Sequence, residues 1–112
     1  MKIKRVEENK IIFDNGDTIT FGHEQDCCEY NYADFLYLTP NDINFNFNFQ
    51  YPLQFEAIEE LGFKFGSNGR WIFIPCYSEQ NGYYTTDIDI YFTHNGRKVK
   101  VLSFDTQLIS DY

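Results

Sequence analysis

The stretch His23-Glu24-Gln25-Asp26-Cys27-Cys28-Glu29 sets an imidazole, two thiols, three carboxylates and an amide in seven consecutive residues. Folding alone seldom needs such a density of functional groups. A second polar cluster, Cys76-Tyr77-Ser78-Glu79-Gln80-Asn81-Gly82-Tyr83-Tyr84, holds the remaining cysteine. His23, Cys27, Cys28 and Cys76 offer one nitrogen and three sulfurs to zinc, with Asp26 or Glu29 as substitutes, and tetrahedral zinc takes about four such ligands. Adjacent cysteines diverge on most backbones and no C-x-x-C pair is present, so no metal is assigned.

A thiolate activated by His23 is the catalytic alternative. Glu24, Asp26 and Glu29 oppose it, because their negative field raises a thiol pKa, and no Gly-rich oxyanion element lies nearby. Glu24, Asp26, Glu29 and Asp34 lack the alternating spacing and glycine pivot of a calcium loop. This acidic group reads better as a presented surface, although Asp26 and Glu29 also suit a helix N-terminus. In the second cluster, one of Tyr83 and Tyr84 is expected to face the core and the other solvent. An exposed Tyr beside Glu79 makes a recognition element, offering area and a hydroxyl at low entropic cost. Phosphate-binding loops, dinucleotide glycine patterns, metalloprotease helices and serine elbows are missing, so a non-enzymatic protein without a cofactor is expected.

The elements that position these clusters are read from turn chemistry. Asp14-Asn15-Gly16, Ser67-Asn68-Gly69, Asn81-Gly82 and Asn95-Gly96 are flanked by β-branched and aromatic residues, which implies antiparallel hairpins. Strands are expected near 2–7, 10–14, 17–23, 62–66, 70–77, 83–93 and 97–104. Residues 53–61, with Leu53, Phe55, Ala57, Ile58 and Leu61 against Glu56, Glu59 and Glu60, read as an amphipathic helix ending at Gly62. Asn44-Phe45-Asn46-Phe47-Asn48-Phe49 alternates as an edge strand, and 26–37 reads as a short helix or irregular turn. His94 is expected at a strand end facing water. The predicted fold is α+β: mainly an antiparallel sheet of hairpins, strongly twisted or partly barrel-like, with one or two short helices packed on it, in a single domain spanning 1–112.

The chain has 112 residues and a formal charge of −8, with twelve Phe and nine Tyr. Rings therefore dominate the expected interior. The acidic balance argues against direct nucleic-acid binding, which needs clustered Lys and Arg, and suits a basic protein partner. No apolar run is long enough for a signal peptide or membrane span. Three cysteines, an odd number, fit a reduced cytoplasmic setting.

With both clusters in view, the chain resembles a family of small uncharacterised phage and bacterial domains that pair an H-x-Q-D-C-C-E segment with a later N-G-Y-Y-[ST] segment. The matching residues are His23, Gln25, Asp26, Cys27, Cys28 and Glu29, then Asn81, Gly82, Tyr83, Tyr84 and Thr85. The resemblance implies a small β-rich fold, a phage or mobile-element setting and proximity of the two motifs. It implies no mechanism.

The functional expectation is a small acidic phage-type protein that binds and inhibits a host protein, such as a nucleic-acid-handling defence effector of the CRISPR kind, in host cytoplasm. Glu24, Asp26, Glu29, Asp34, Glu79, Tyr83 and Tyr84 are the expected partner-binding residues, and a homodimer is compatible with the sequence. The alternative is a metal- or small-ligand-binding domain using His23, Gln25, Cys27, Cys28, Cys76 and Asn81. A small hydrolase or nucleotide-sequestering protein using the same pocket is a third reading.

Overall fold

In the computed structural model, residues 1–22, 30–47, 52–67, 69–80, 82 and 85–110 are described. Two sheets share one core. The first runs in the order β1 (Ile3–Glu7), β2 (Lys10–Phe13), β3 (Thr18–Gly22), β8 (Asp87–His94) and β9 (Arg97–Asp105). The second runs β10 (Gln107–Ser110), β7 (Arg70–Gln80), β6 (Gly62–Ser67) and β5 (Gln54–Ile58), with β4 (Tyr30–Ala33) pairing β7 off that path. All pairings are antiparallel except β10 on β7. The fold is thus mostly antiparallel β, without a closed barrel. Its helical content among the described residues is one 3-10 turn at Phe35–Tyr37 and one helical turn, α1 (Pro40–Ile43).

Asn15-Gly16 and Asn95-Gly96 close hairpins as expected, and β6 and β7 pair antiparallel up to Ser67 and Arg70, with residue 68 outside the described residues. At the β8–β9 turn both Asn95 (φ 52) and Gly96 (φ 77) take the left-handed conformation, the pair of positive φ angles that a tight hairpin requires. Asn81-Gly82 does not close one. The flanking strands β7 and β8 belong to different sheets, and residues 81, 83 and 84 lie outside the described residues.

The expected helix at 53–61 is a strand. Gln54 to Ile58 pairs residue by residue with Gly66 to Gly62, and Phe55 turns inward against Phe92 at 5.4 Å between ring centroids. The segment has two compatible periods, and sheet pairing overrides the helix propensity of its glutamates. β6 in turn lies close to β7 because Gly66 has no side chain: a Cβ there would lie 1.8 Å from the carbonyl oxygen of Arg70.

Residues 44–47 do not form the expected strand. Thr39 accepts from the Asp42 amide while Asp42 accepts from the Thr39 amide, a capping box that starts α1, and Asn44 ends it. Phe47 is buried, and its ring meets Phe45, Phe13 and Phe65. The Met1 ammonium is held by Asn46 Oδ1 at 2.7 Å and the Phe47 carbonyl at 2.9 Å. Phenylalanines that suggested a sheet face thus cap the core without a ladder. Residues 48 and 49 lie outside the described residues. The 26–37 segment, expected as helix or turn, contributes β4 and the 3-10 turn in its described part.

Ile11, Phe13, Ile19, Ile88 and Ile90 from the first sheet and Phe63, Phe65, Ile72 and Ile74 from the second are buried together. Burial of each such side chain contributes roughly 1.5–3 kcal/mol. β7 alternates apart from Pro75, which is also buried: Ile72, Ile74, Cys76, Ser78 and Gln80 point into the sandwich, which leaves Trp71, Phe73, Tyr77 and Glu79 on the outer face.

Candidate interaction surface

β4 lays a second alternating row beside the distal half of β7. Tyr30 pairs with Glu79, Asn31 with Ser78, Tyr32 with Tyr77 and Ala33 with Cys76. Period two turns Asn31 and Ala33 inward and Tyr30 and Tyr32 outward. The two outward rings stack at 4.8 Å between centroids and 26° between planes, and Tyr32 continues onto Tyr77 at 5.7 Å. Tyr37 stands edge-on to Phe73 at 6.3 Å farther along the same face. The outer side of this sheet is therefore an aromatic band.

At its distal end the band opens into a cleft of about 250 Å³ lined by Glu8, Tyr30, Tyr32, Ala33, Asp34, Leu36 and Glu79. Leu36 is 64% exposed and Tyr30 40%, an apolar floor that water covers only at a cost. The Tyr32 hydroxyl donates to Glu79 Oε1 at 3.1 Å, which fixes the ring plane. Asp34 is anchored by its backbone, whose N–H donates to the Pro75 carbonyl at 2.9 Å. Burial, then the bond to Glu79 and its negative charge, push the Tyr32 phenol up to about 12. Burial with Glu8 and Glu79 raises Tyr30 as well. Both phenols stay neutral, and the negative charge of the cleft resides on its carboxylates.

Behind the cleft lies a buried amide network. Asn31 Nδ2 donates to the carbonyls of Thr85 at 3.1 Å and Asp87 at 2.8 Å. Asn31 Oδ1 accepts from the Ser78 hydroxyl. Gln80 Nε2 donates to Ser78 Oγ at 2.7 Å and to the Thr85 carbonyl at 3.0 Å. Asn31, Ser78 and Gln80 are fully buried, and satisfied networks of this kind hold backbone in one position. This one ties β4 and β7 to the start of β8.

Of the residues singled out from sequence, the structure brings Asp34 and Glu79 together in the cleft. Cys76 is elsewhere, sealed in the core with burial raising its thiol above the usual range. A thiolate is disfavoured there, so Cys76 acts as a small apolar packing group. His23, Glu24, Gln25, Asp26, Cys27, Cys28, Glu29, Asn81, Tyr83 and Tyr84 lie outside the described residues. Asn31, two residues beyond the first cluster, donates to the carbonyl of Thr85, which follows the second. His94, expected in water, is half-exposed but bonded: its Nδ1 lies 2.9 Å from both carboxylate oxygens of the buried Asp17.

Sequence reasoning passed over Glu8, Tyr30, Tyr32 and Leu36. Their signal was the alternation Tyr30-Asn31-Tyr32-Ala33, short but of strand period. Among the described residues, no group of three or more His, Cys, Asp or Glu is placed to hold a metal ion, and no helix is long and apolar enough to cross a membrane.

Comparison with curated proteins and with solved structures returned no match. Residues 1–90, from β1 into β8 and including every residue of the cleft, match a sequence family described as "Domain of unknown function (DUF7448)"; the chain belongs to that family.

Proposed function

We propose that the chain is an acidic, non-enzymatic, phage-type protein that docks in a basic nucleic-acid-binding groove of a host protein and blocks it, its carboxylates taking the place of phosphates. The observation that carries this reading is the cleft, where Glu8, Asp34 and Glu79 rim a floor of tyrosines at the end of an exposed aromatic band. Tyrosine-rich, rigid patches are the residue type on which protein interfaces concentrate their energy. A charge of −8 supplies long-range attraction to a basic groove and speeds encounter.

The test is a mobility-shift assay on a guide-loaded CRISPR effector nuclease with the purified chain in excess. The expected result is loss of target-DNA binding that weakens as salt rises, since exposed charges are screened over about 10 Å at 0.1 M. Full guide and DNA binding in the presence of excess chain refutes the reading.

The alternative is metal or small-ligand binding at His23, Cys27, Cys28 and Cys76, of which Cys76 lies buried in the core. Native mass spectrometry of protein purified without chelator separates the two. Stoichiometric metal that disappears in Cys27→Ser/Cys28→Ser establishes the alternative.

A further inference from the structure

Carboxylates alone do not specify a ligand; the surface between them does. The cleft volume, about 250 Å³, falls below the roughly 300–1,000 Å³ of sites that enclose drug-sized molecules, and fits a single long side chain. Its floor is a stacked pair of phenol rings, one of them fixed by the bond from Tyr32 to Glu79. That bond uses one of roughly four lone-pair positions on the carboxylate.

The rest of the molecule shows what this chain does with its other ring faces. Lys64 lies over Trp71 at 4.6 Å, Arg70 over Phe45 at 4.9 Å and Lys98 over Tyr91 at 4.5 Å. Two of these cations also pair with a carboxylate, Lys64 with Glu56 and Arg70 with Asp42. Among the described residues, the Tyr30/Tyr32 pair carries no such cation, and Glu8, Asp34 and Glu79 pair with none. Aromatic faces and carboxylates are combined here as they are elsewhere in the fold, with the cation left to come from another molecule.

We propose that this cleft is an arginine-anchor site. It receives one arginine side chain of the basic partner, its guanidinium stacked on the Tyr30/Tyr32 pair and hydrogen-bonded to Glu79, with Glu8 and Asp34 supplying the remaining negative field. Arginine is favoured over lysine on three grounds. A planar guanidinium stacks on an aromatic face, its fork of donors meets a carboxylate bidentately, and it is more weakly hydrated than an ammonium, so entering an apolar floor beside Leu36 costs it less. The proposal rests on the basic-groove reading above and names the group that reading requires.

The experiment titrates isotope-labelled protein with hexa-arginine and hexa-lysine peptides, blocked at both ends, at matched low ionic strength, and follows amide shifts. The expected result is binding of hexa-arginine about tenfold tighter than hexa-lysine, equivalent to about 1.4 kcal/mol. The largest shifts are expected at Tyr30, Tyr32 and Glu79. Tyr30→Leu and Glu79→Gln, each read separately, should bring the arginine peptide down to the lysine level, while Glu60→Gln, remote from the cleft, leaves the preference intact. Equal binding of the two peptides, or an arginine preference that survives both cleft substitutions, overturns the anchor and leaves acidic docking standing. Failure of both peptides to bind at low salt overturns the anchor and the acidic docking together.

Discussion

The inner and outer rows of β4 and β7 are built from the same strands at the same register, yet they do opposite work. The inner row of Asn31, Ala33, Ile74, Cys76, Ser78 and Gln80 is buried and bonded within itself. The outer row of Tyr30, Tyr32, Tyr77 and Glu79 presents rings and charge to solvent. Period two allows one β-ribbon to hold stability on one face and recognition on the other. Substitutions that respect this division should move stability or binding, but not both.

The sharpest way to break the comparison is Asn31→Leu. The change is close in volume, but it strips the Ser78 hydroxyl of its acceptor and removes one donor from each of the carbonyls of Thr85 and Asp87, Thr85 keeping the bond from Gln80. A buried polar group left unmade costs about 1–3 kcal/mol; with several affected, a loss of about 3 kcal/mol or more is expected from urea denaturation. A loss below about 1 kcal/mol would show that the inner row does not hold the sandwich together.

Cys76→Ser comes next. Its sulfur has only a long contact to the Ile74 carbonyl at 3.8 Å, so a hydroxyl placed there is desolvated with a poor partner, at a cost of about 1–3 kcal/mol. A companion measurement uses Cys27→Ser/Cys28→Ser, which leaves Cys76 as the reporting thiol. Its modification by a thiol reagent should follow global unfolding, and rapid labelling of the folded protein would contradict its burial and raised thiol.

These inner positions also show what could be read in advance. The hairpins were legible because Asn-Gly chemistry is local: Asn95 and Gly96 adopt the turn whatever the rest of the chain does. Helix against strand at 54–58 was not, because Leu53, Ala57, Ile58 and Leu61 fit a helix face while Leu53, Phe55 and Ala57 fit a strand face, and only pairing with β6 decides between them. For the opposite reason, it was not legible that β7 and β8, which flank Asn81-Gly82, join different sheets. A turn signal says that the chain bends, not which sheet the next strand joins, and Asp87 joins β3 and β9. β10, four residues long and parallel to β7, leaves almost no local signature. The cleft was half legible. Asp34 and Glu79 stood out as acidic residues near polar clusters, whereas Tyr30 and Tyr32 join them only through β4–β7 pairing, which brings Tyr32 to Glu79 across 47 positions, and Glu8 comes from the β1–β2 turn of the other sheet.

Outer-row changes should be quiet in stability. Tyr30→Leu removes an exposed ring and is expected to shift unfolding by less than about 0.5 kcal/mol, within the usual range for surface substitutions. A larger loss would mean that the stacked tyrosines hold β4 in place, and the separation between the two rows would fail.

The finest test is the phenol of Tyr32. Folding raises its pKa from 10.0 to about 12, by burial first and by Glu79 second. The folded state therefore holds the proton more tightly than the unfolded chain. The resulting stability is fully present below pH 10 and is lost as pH rises from there towards 12. The gap in urea stability between wild type and Tyr32→Phe should be constant up to about pH 10 and shrink above it. Phenolate absorbance, taken as the difference between the same two proteins, should show one tyrosine ionising near 12. Glu79→Gln should lower that midpoint only in part, because the amide still accepts the bond and burial remains the larger cause. A difference midpoint at 10 in the folded protein would place Tyr32 in open water, and the ring that defines the cleft floor would no longer be fixed.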